Sequence, residues 1–168
     1  AHTVRAHVPV ATAVTFGAAA GQGQLPSVIS GGTDGLVATW DPRTPDAAPQ
    51  RVEAHRGGVT ALDLHVAEGD VARLVTAGID GALRVWERSE EVGQLTDVHK
   101  GAVTTAAWSP DGERVAAGGT DGLVSLWEAP RGRAQLLDRH KGPVLCVAWS
   151  PDGAWLASGG EDRNVCLW

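Results

Sequence analysis

An aspartate six residues ahead of a tryptophan recurs four times in this chain, each time inside nearly the same eleven residues. The copies read SGGTDGLVATW (30–40), TAGIDGALRVW (76–86), AGGTDGLVSLW (117–127) and SGGEDRNVCLW (158–168). In each, a short apolar run ends in small residues and an Asp-Gly or Asp-Arg pair turns the chain. An alternating strand then closes on Trp40, Trp86, Trp127 or Trp168. Asp-Gly between apolar runs is a strong hairpin signal, because the turn needs positive φ, which glycine adopts without steric cost. A repeat with a period in the tens of residues restricts the chain to stacked or radially arranged copies of one small unit.

Ahead of every hairpin lies a histidine followed by an apolar strand: HVPVATAVTF from His7, HRGGVTALDL from His55, HKGAVTTAAW from His99 and HKGPVLCVAW from His140. The last two run on into SPDG (109–112 and 150–153), whose Pro and Gly positions favour a type I turn. The histidine-to-aspartate gaps are 27, 25, 22 and 22 residues. The surplus falls in GAAAGQGQ (17–24) and VAEGD (66–70), loops that absorb length at low entropic cost. A weaker fourth strand fits between each tryptophan and the next histidine, at 50–54, 93–97 and 134–138. TVRA (3–6) fills that place before His7. The linkers at 41–49 and 128–133 are rich in turn residues. Apolar residues recur at spacing two, and no helical period competes. The expectation is an all-β chain of four repeats, at 1–40, 50–86, 92–127 and 134–168, with about sixteen strands and no second domain.

The closing strands are apolar on both faces. Val165 and Leu167 alternate with Cys166 and Trp168, and the earlier copies repeat that layout. A strand apolar on both faces has to be covered on both faces, which sheets stacked around an axis achieve.

With His, Asp and Trp in this order four times over, the chain resembles the WD-repeat family of β-propellers along essentially its whole length. It departs from the family pattern in two places. The histidines follow Ala6, Ala54, Val98 and Arg139 where the family has Gly, and only Trp40 is followed by Asp, at Asp41. The resemblance implies blades of four antiparallel strands, each unit carrying the outer strand of one blade and the inner three of the next. The two ends of the chain would then complete one blade. Because the family usually builds about seven blades, a segment of a larger propeller is the favoured reading. A complete four-bladed ring and a homodimer forming eight blades are the alternatives. The absence of Met, even at position 1, fits a processed form or an excised segment.

The resemblance also implies a hydrogen-bonded chain within each blade, from Trp to Ser/Thr to His to Asp. The matching sets are Trp40, Ser30, His7, Asp34; Trp86, Thr76, His55, Asp80; and Trp168, Ser158, His140, Asp162. The third set, Trp127, His99 and Asp121, has Ala117 where a hydroxyl belongs. A charge-assisted bond to a partly buried carboxylate contributes on the order of 1.5–3 kcal/mol. On this reading Asp162→Ala destabilises more than Asp121→Ala, whose network already lacks a member. In such propellers the histidine loops and Asp turns share the face that meets peptides or partner domains. Candidate contact residues there are Arg56, Ile79, Lys100, Thr120, Lys141, Leu145 and Glu161. Arg56, Lys100 and Lys141, each one residue after a histidine, form a basic ring suited to an acidic peptide.

Other chemistries find little support. Ser158, His140 and Asp162 mimic a catalytic triad, but the arrangement recurs in the first two repeats without an oxyanion-hole loop or nucleophile elbow. The four histidines lie in different repeats and lack metal-ligand spacing. His2 and His65 read as surface or strand-end residues. Cys146 and Cys166 fall two strands apart, near 10 Å, too far for a disulfide, and read as inert core thiols. With 14 Lys+Arg against 20 Asp+Glu and no basic run, phosphate-backbone binding has no electrostatic basis. Trp108, Trp149 and Trp155 read as packing residues, and the Gly-Gly pairs precede hairpins, not helices. No stretch is long and apolar enough to span a membrane as a helix. The expected function is a non-catalytic protein-interaction scaffold, with no cofactor, metal, nucleic acid or membrane partner. Two alternatives remain open: a ubiquitin-ligase substrate receptor, from the WD-x-R box of Trp40, Asp41 and Arg43, and a regulatory module of a larger assembly. The absence of a leader and of paired thiols suggests a cytoplasmic setting, with nuclear or cytoskeletal settings as alternatives.

Overall fold

The computed structural model describes residues 3–17, 27–44, 46–66 and 72–168. Its fifteen strands fall into four antiparallel sheets, and the described residues contain no helix. The first sheet orders β1 (Ala11–Phe16), β2 (Val28–Gly32), β3 (Leu36–Trp40) and β4 (Gln50–Glu53). The second orders β5 (Val59–Val66), β6 (Ala72–Gly78), β7 (Leu83–Glu87) and β8 (Glu90–Leu95). The third holds β9 (Val103–Trp108), β10 (Arg114–Gly119), β11 (Leu123–Glu128) and β12 (Ala134–Asp138). The fourth has only β13 (Val144–Trp149), β14 (Leu156–Gly160) and β15 (Val165–Leu167). Each histidine-to-tryptophan run forms the inner three strands of a sheet, and the segment before the next histidine returns as its outer strand.

One expectation fails here: among the described residues the fourth sheet has no outer strand. Residues 3–6 do not supply it, because they form no strand and pair with nothing in the sheets. The two insertions at 17–24 and 66–70 fall almost wholly outside the described residues, as does His2.

The inner strands β1, β5, β9 and β13 pack on one another in chain order. Three apolar seams separate the sheets. Ile29 and Val37 of the first sheet meet Val59, Leu74 and Trp86 of the second. Val75, Leu83 and Val85 meet Val103, Trp108 and Trp127 across the middle seam. Ala116 and Val124 meet Val144, Leu156 and Trp168 across the third. The closing tryptophans of the second, third and fourth sheets, Trp86, Trp127 and Trp168, are therefore the wedges against the sheet before, and both faces of the inner sheets are covered. These are blades of a β-propeller, arranged as an arc.

Every seam uses the same device. A β-bulge interrupts the first strand pair at Thr12, Thr60 and Thr104, between the pairs anchored by residues 11 and 13, 59 and 61, and 103 and 105. The bulge turns the threonine hydroxyl out of its own sheet. Thr12 Oγ1 donates to the carbonyl of Val59 at 2.5 Å, Thr60 Oγ1 to Val103 at 2.5 Å, and Thr104 Oγ1 to Val144. Beside this bond a valine knob seats on a residue with little or no side chain. A Cβ at Gly31 would fall 2.5 Å from Val59 Cγ1, and one at Gly118 would fall 2.4 Å from Val144 Cγ1.

The fourth sheet has Leu145 at the bulge position, between the pairs of Val144 and Cys146. Leu145 thus occupies the seam position of the threonines and is exposed because no sheet covers it. The thiols are not core groups either: Cys146 is exposed on the same uncovered face, and Cys166 is half-buried on the edge strand β15. His65 is half-buried on β5, with its ring centroid 6.1 Å from that of Trp108 in the next sheet.

Candidate functional site

The local sequence builds one polar cluster per sheet, where the Asp turn meets the loop after the histidine. Gly35, Gly81 and Gly122 take φ of +78°, +77° and +80° directly after the turn aspartate, and Arg163 takes the same conformation at +66°. The loop and the turn are stitched by a backbone bond in every sheet: Thr33 N–H to Val10, Ile79 to Gly58, Thr120 to Ala102 and Glu161 to Pro143, at 2.9–3.0 Å.

Each aspartate accepts from at least three donors. The histidine Nδ1–H lies 3.0 Å from Asp34, 2.8 Å from Asp80, 3.1 Å from Asp121 and 3.0 Å from Asp162. The backbone N–H after the histidine adds Val8 at 3.2 Å, Arg56 at 3.2 Å, Lys100 at 2.9 Å and Lys141 at 2.9 Å. The N–H two residues past the aspartate adds Leu36, Ala82, Leu123 and Asn164 at 3.1–3.2 Å. Donation from Nδ1 leaves Nε2 as an acceptor, which takes a hydroxyl from Ser30 at 2.7 Å, Thr76 at 2.9 Å and Ser158 at 2.9 Å. The indoles of Trp86 and Trp168 donate to Thr76 at 3.0 Å and Ser158 at 2.9 Å, closing the chain in two sheets.

The other two sheets depart from the implied scheme. The Trp40 indole makes no bond to Ser30 among the described contacts, and it lies on the uncovered rear face of the first sheet. In the third sheet Ser125 supplies the hydroxyl that Ala117 cannot, with its Oγ 3.0 Å from His99 Nε2. Ser125 stands directly across from Ala117 on the neighbouring strand, so the same histidine nitrogen is within reach. Trp127 is not bonded to it and serves as packing. The third network is complete from hydroxyl to carboxylate, and the ranking that placed Asp121 below Asp162 loses its basis. The glycine before each turn is fixed by this cluster as well: a Cβ at Gly78 would lie 2.2 Å from His55 Nδ1.

Electrostatics follow from these contacts. Burial pushes the Asp34, Asp80 and Asp121 carboxyls up, but the histidine and backbone N–H groups around each outweigh it and hold all three below the usual range. The Lys141 N–H, with His140, does the same to Asp162 more strongly. Burial holds the His55 imidazole below its ordinary value against the pull of Asp80. The Arg84 guanidinium, 2.7 Å from Nδ1 and 3.1 Å from Asp80, adds to the lowering.

Both kinds of group lose stability in acid. The unfolded chain takes up the His55 proton below about pH 6.5 while the folded chain resists it, so stability declines as pH falls from there. The aspartates contribute stability that is full above about pH 3.9 and lost as pH falls through their lower folded values. The melting temperature is therefore expected to be level above about pH 7.5 and to fall on acidification, starting near 6.5. Circular dichroism melts from pH 8 to 4 check this, and a midpoint rising between pH 7 and 5 would contradict it.

The clusters are structural in what they can do chemically. Ser158 is 2 % exposed, with its hydroxyl held between His140 and Trp168, so no substrate reaches it. Their outer rim is different. Arg56, Lys100, Lys141, Ile79, Thr120 and Glu161 are exposed and lie where the stitched loop and turn meet. Leu145 does not join this rim. Arg43 is folded back on Asp41, with Nε 2.9 Å from both carboxylate oxygens and Nη2 bonded as well.

A comparison with curated proteins finds no match. The family model for the WD domain, G-beta repeat, matches residues 48–87, 90–128 and 133–168, well over half of the chain. The first sheet lies largely outside the matched residues. Repeats of this family generally serve as non-catalytic scaffolds for protein–protein interaction. With its Asp-turn hairpins, its histidine clusters and three matched repeats in one chain, the protein belongs to the WD40-repeat family.

Proposed function

We propose that the chain is an interaction scaffold whose rim of histidine loops and Asp turns binds an acidic peptide or an acidic segment of a partner domain. The observation that carries this reading is the fixed spacing of three free cations. The backbone of Arg56, Lys100 and Lys141 is pinned to the turn aspartate of its own sheet, so successive sheets present a basic side chain at the same place. None of the three makes an ion pair among the described residues. The aspartates beside them already accept from histidine and backbone donors. A ring of cations thus stands out on a chain of net charge −6, with Ile79 as an apolar grip between the first two. The ubiquitin-ligase reading is the weaker one, because the Arg43 guanidinium it needs is bonded to Asp41.

Fluorescence anisotropy with a labelled eight-residue Glu-rich peptide tests the rim. Binding is expected to weaken at least tenfold in the Arg56→Glu, Lys100→Glu, Lys141→Glu triple variant, and to weaken as salt screens the exposed charges. Equal binding by the triple variant, or none by the native chain, would overturn the assignment.

A further inference from the structure

The three seams are not equally filled, and the first holds an apolar cavity of about 170 Å³. Ile29, Val37, Leu74 and Trp86 each keep 7–8 % of their surface there. Their counterparts in the middle seam, Val75, Leu83, Val115 and Trp127, keep at most 1 %. Two differences between the repeats account for the space. The first-strand position paired with Val115 in the third sheet and with Leu156 in the fourth holds Trp108 and Trp149. In the second sheet the same position, paired with Leu74, holds Leu64. On the other side of the seam, Thr39 stands opposite Ile29, where Val85 stands opposite Val75 and Leu126 opposite Ala116. The first seam thus has an isobutyl group where the other two have an indole, and a threonine where they have a larger or wholly apolar side chain. The Thr12 bond to Val59 and the valine knob on Gly31 hold the two sheets at the common spacing, so they do not close over the gap.

The polar part of the lining lies at the end of the seam away from the Asp turns. Gln50 and Arg88 stand there, and Arg88 carries the single charge among the described residues that line the cavity. It makes no ion pair among the described residues, whereas its neighbour Glu87 is bonded to Arg73 at 2.8 Å. Arg88 and Ser89 form the two-residue turn between β7 and β8, with φ of +51° and +69°. Asn and Gly suit both positions of such a turn, and an arginine occupies the first at a conformational cost. The turn therefore sets a guanidinium beside the cavity where a residue without a long side chain would fold more readily.

We infer that this cavity binds a small aromatic carboxylate, with its ring beside Leu64 and Trp86 and its carboxylate on Arg88. The shape follows from the other seams, where an indole fills the equivalent place. The charge follows from the unpaired guanidinium, whose bond to a carboxylate is charge-assisted. A dry apolar cavity of about 150 Å³ takes up benzene, so the space here admits one ring with a short acid arm. The site shares no residue with the cationic rim and does not depend on it.

Titration of the ¹⁵N-labelled chain with phenylacetate, followed by amide chemical shifts, tests this. Saturable binding with a dissociation constant of about 1 mM or tighter is expected. The shifts should centre on Leu64, Leu74 and the segment from Trp86 to Ser89. Phenylacetamide, equal in size but uncharged, should bind about fivefold more weakly, and Arg88→Ala should remove that preference. Leu64→Trp supplies the indole that Trp108 and Trp149 supply in their seams. It is expected to weaken phenylacetate about tenfold or more while the melting temperature holds or rises. Should it lower the melting temperature, Leu64→Phe takes its place. Absence of saturation at about 10 mM phenylacetate, whatever else fills the cavity, would overturn the inference. So would binding indifferent to the Leu64 variant, equal binding of acid and amide, or shifts centred on Arg56, Lys100 and Lys141.

Discussion

Trp127→Ala is expected to lower the unfolding free energy by about 3–5 kcal/mol, the range for truncating a buried tryptophan. Trp127 is 1 % exposed and sits in the middle seam, the largest of the three apolar clusters, among residues of both the second and third sheets. Its removal empties the wedge that joins two sheets, and neither sheet can move in without breaking its other seam. Against a total of about 5–15 kcal/mol for a domain, the loss brings the chain close to unfolding at room temperature. Trp40→Ala, at the uncovered rear face of the first sheet, is expected to cost less than half as much. Urea denaturation of the two variants checks this, and equal losses would mean that Trp127 does not work through the seam.

Asp121→Ala is expected to cost about 2–3 kcal/mol and to match Asp162→Ala within about 1 kcal/mol. Each substitution strands a histidine Nδ1–H and two backbone N–H groups. The repeat pattern alone ranks Asp162 clearly higher, because Ala117 offers no hydroxyl. Ser125 removes the difference, and Ser125→Ala should behave like Ser158→Ala. Chemical denaturation of the four variants decides the point. A loss at Asp162 exceeding that at Asp121 by more than 1 kcal/mol would show that the substitute hydroxyl does not do the same work.

The parts of the fold that could be read from the chain are those set by short-range chemistry repeated in phase. Asp34-Gly35 and its copies announce their hairpins locally, and the histidine ahead of each apolar strand marks where the loop must return. The replacement at Ser125 was harder to see, because it depends on which residues face each other across β10 and β11. A signal was present all the same: position 125 holds a hydroxyl where the other copies have Ala38, Arg84 and Cys166, and it does so in the one copy that has Ala117. The exposure of the thiols is hidden from the sequence for a different reason. Both have apolar neighbours in sequence, but Cys146 lies on a face with no sheet described beside it and Cys166 on β15, an edge strand of its sheet, and periodicity along a strand cannot report what lies across from it. The exposed rim carrying Arg56, Lys100 and Lys141 was legible as a spacing; that their backbones are anchored to the turn carboxylates was not.

The bulge threonines have a consequence for how the molecule comes apart. Each hydroxyl joins only nearest neighbours, so the four described sheets behave as a row of coupled beads in which the first and fourth share one such link and the second and third two. Opening should start at the flanks and travel inward, and amide protons of the second and third sheets should exchange with solvent last.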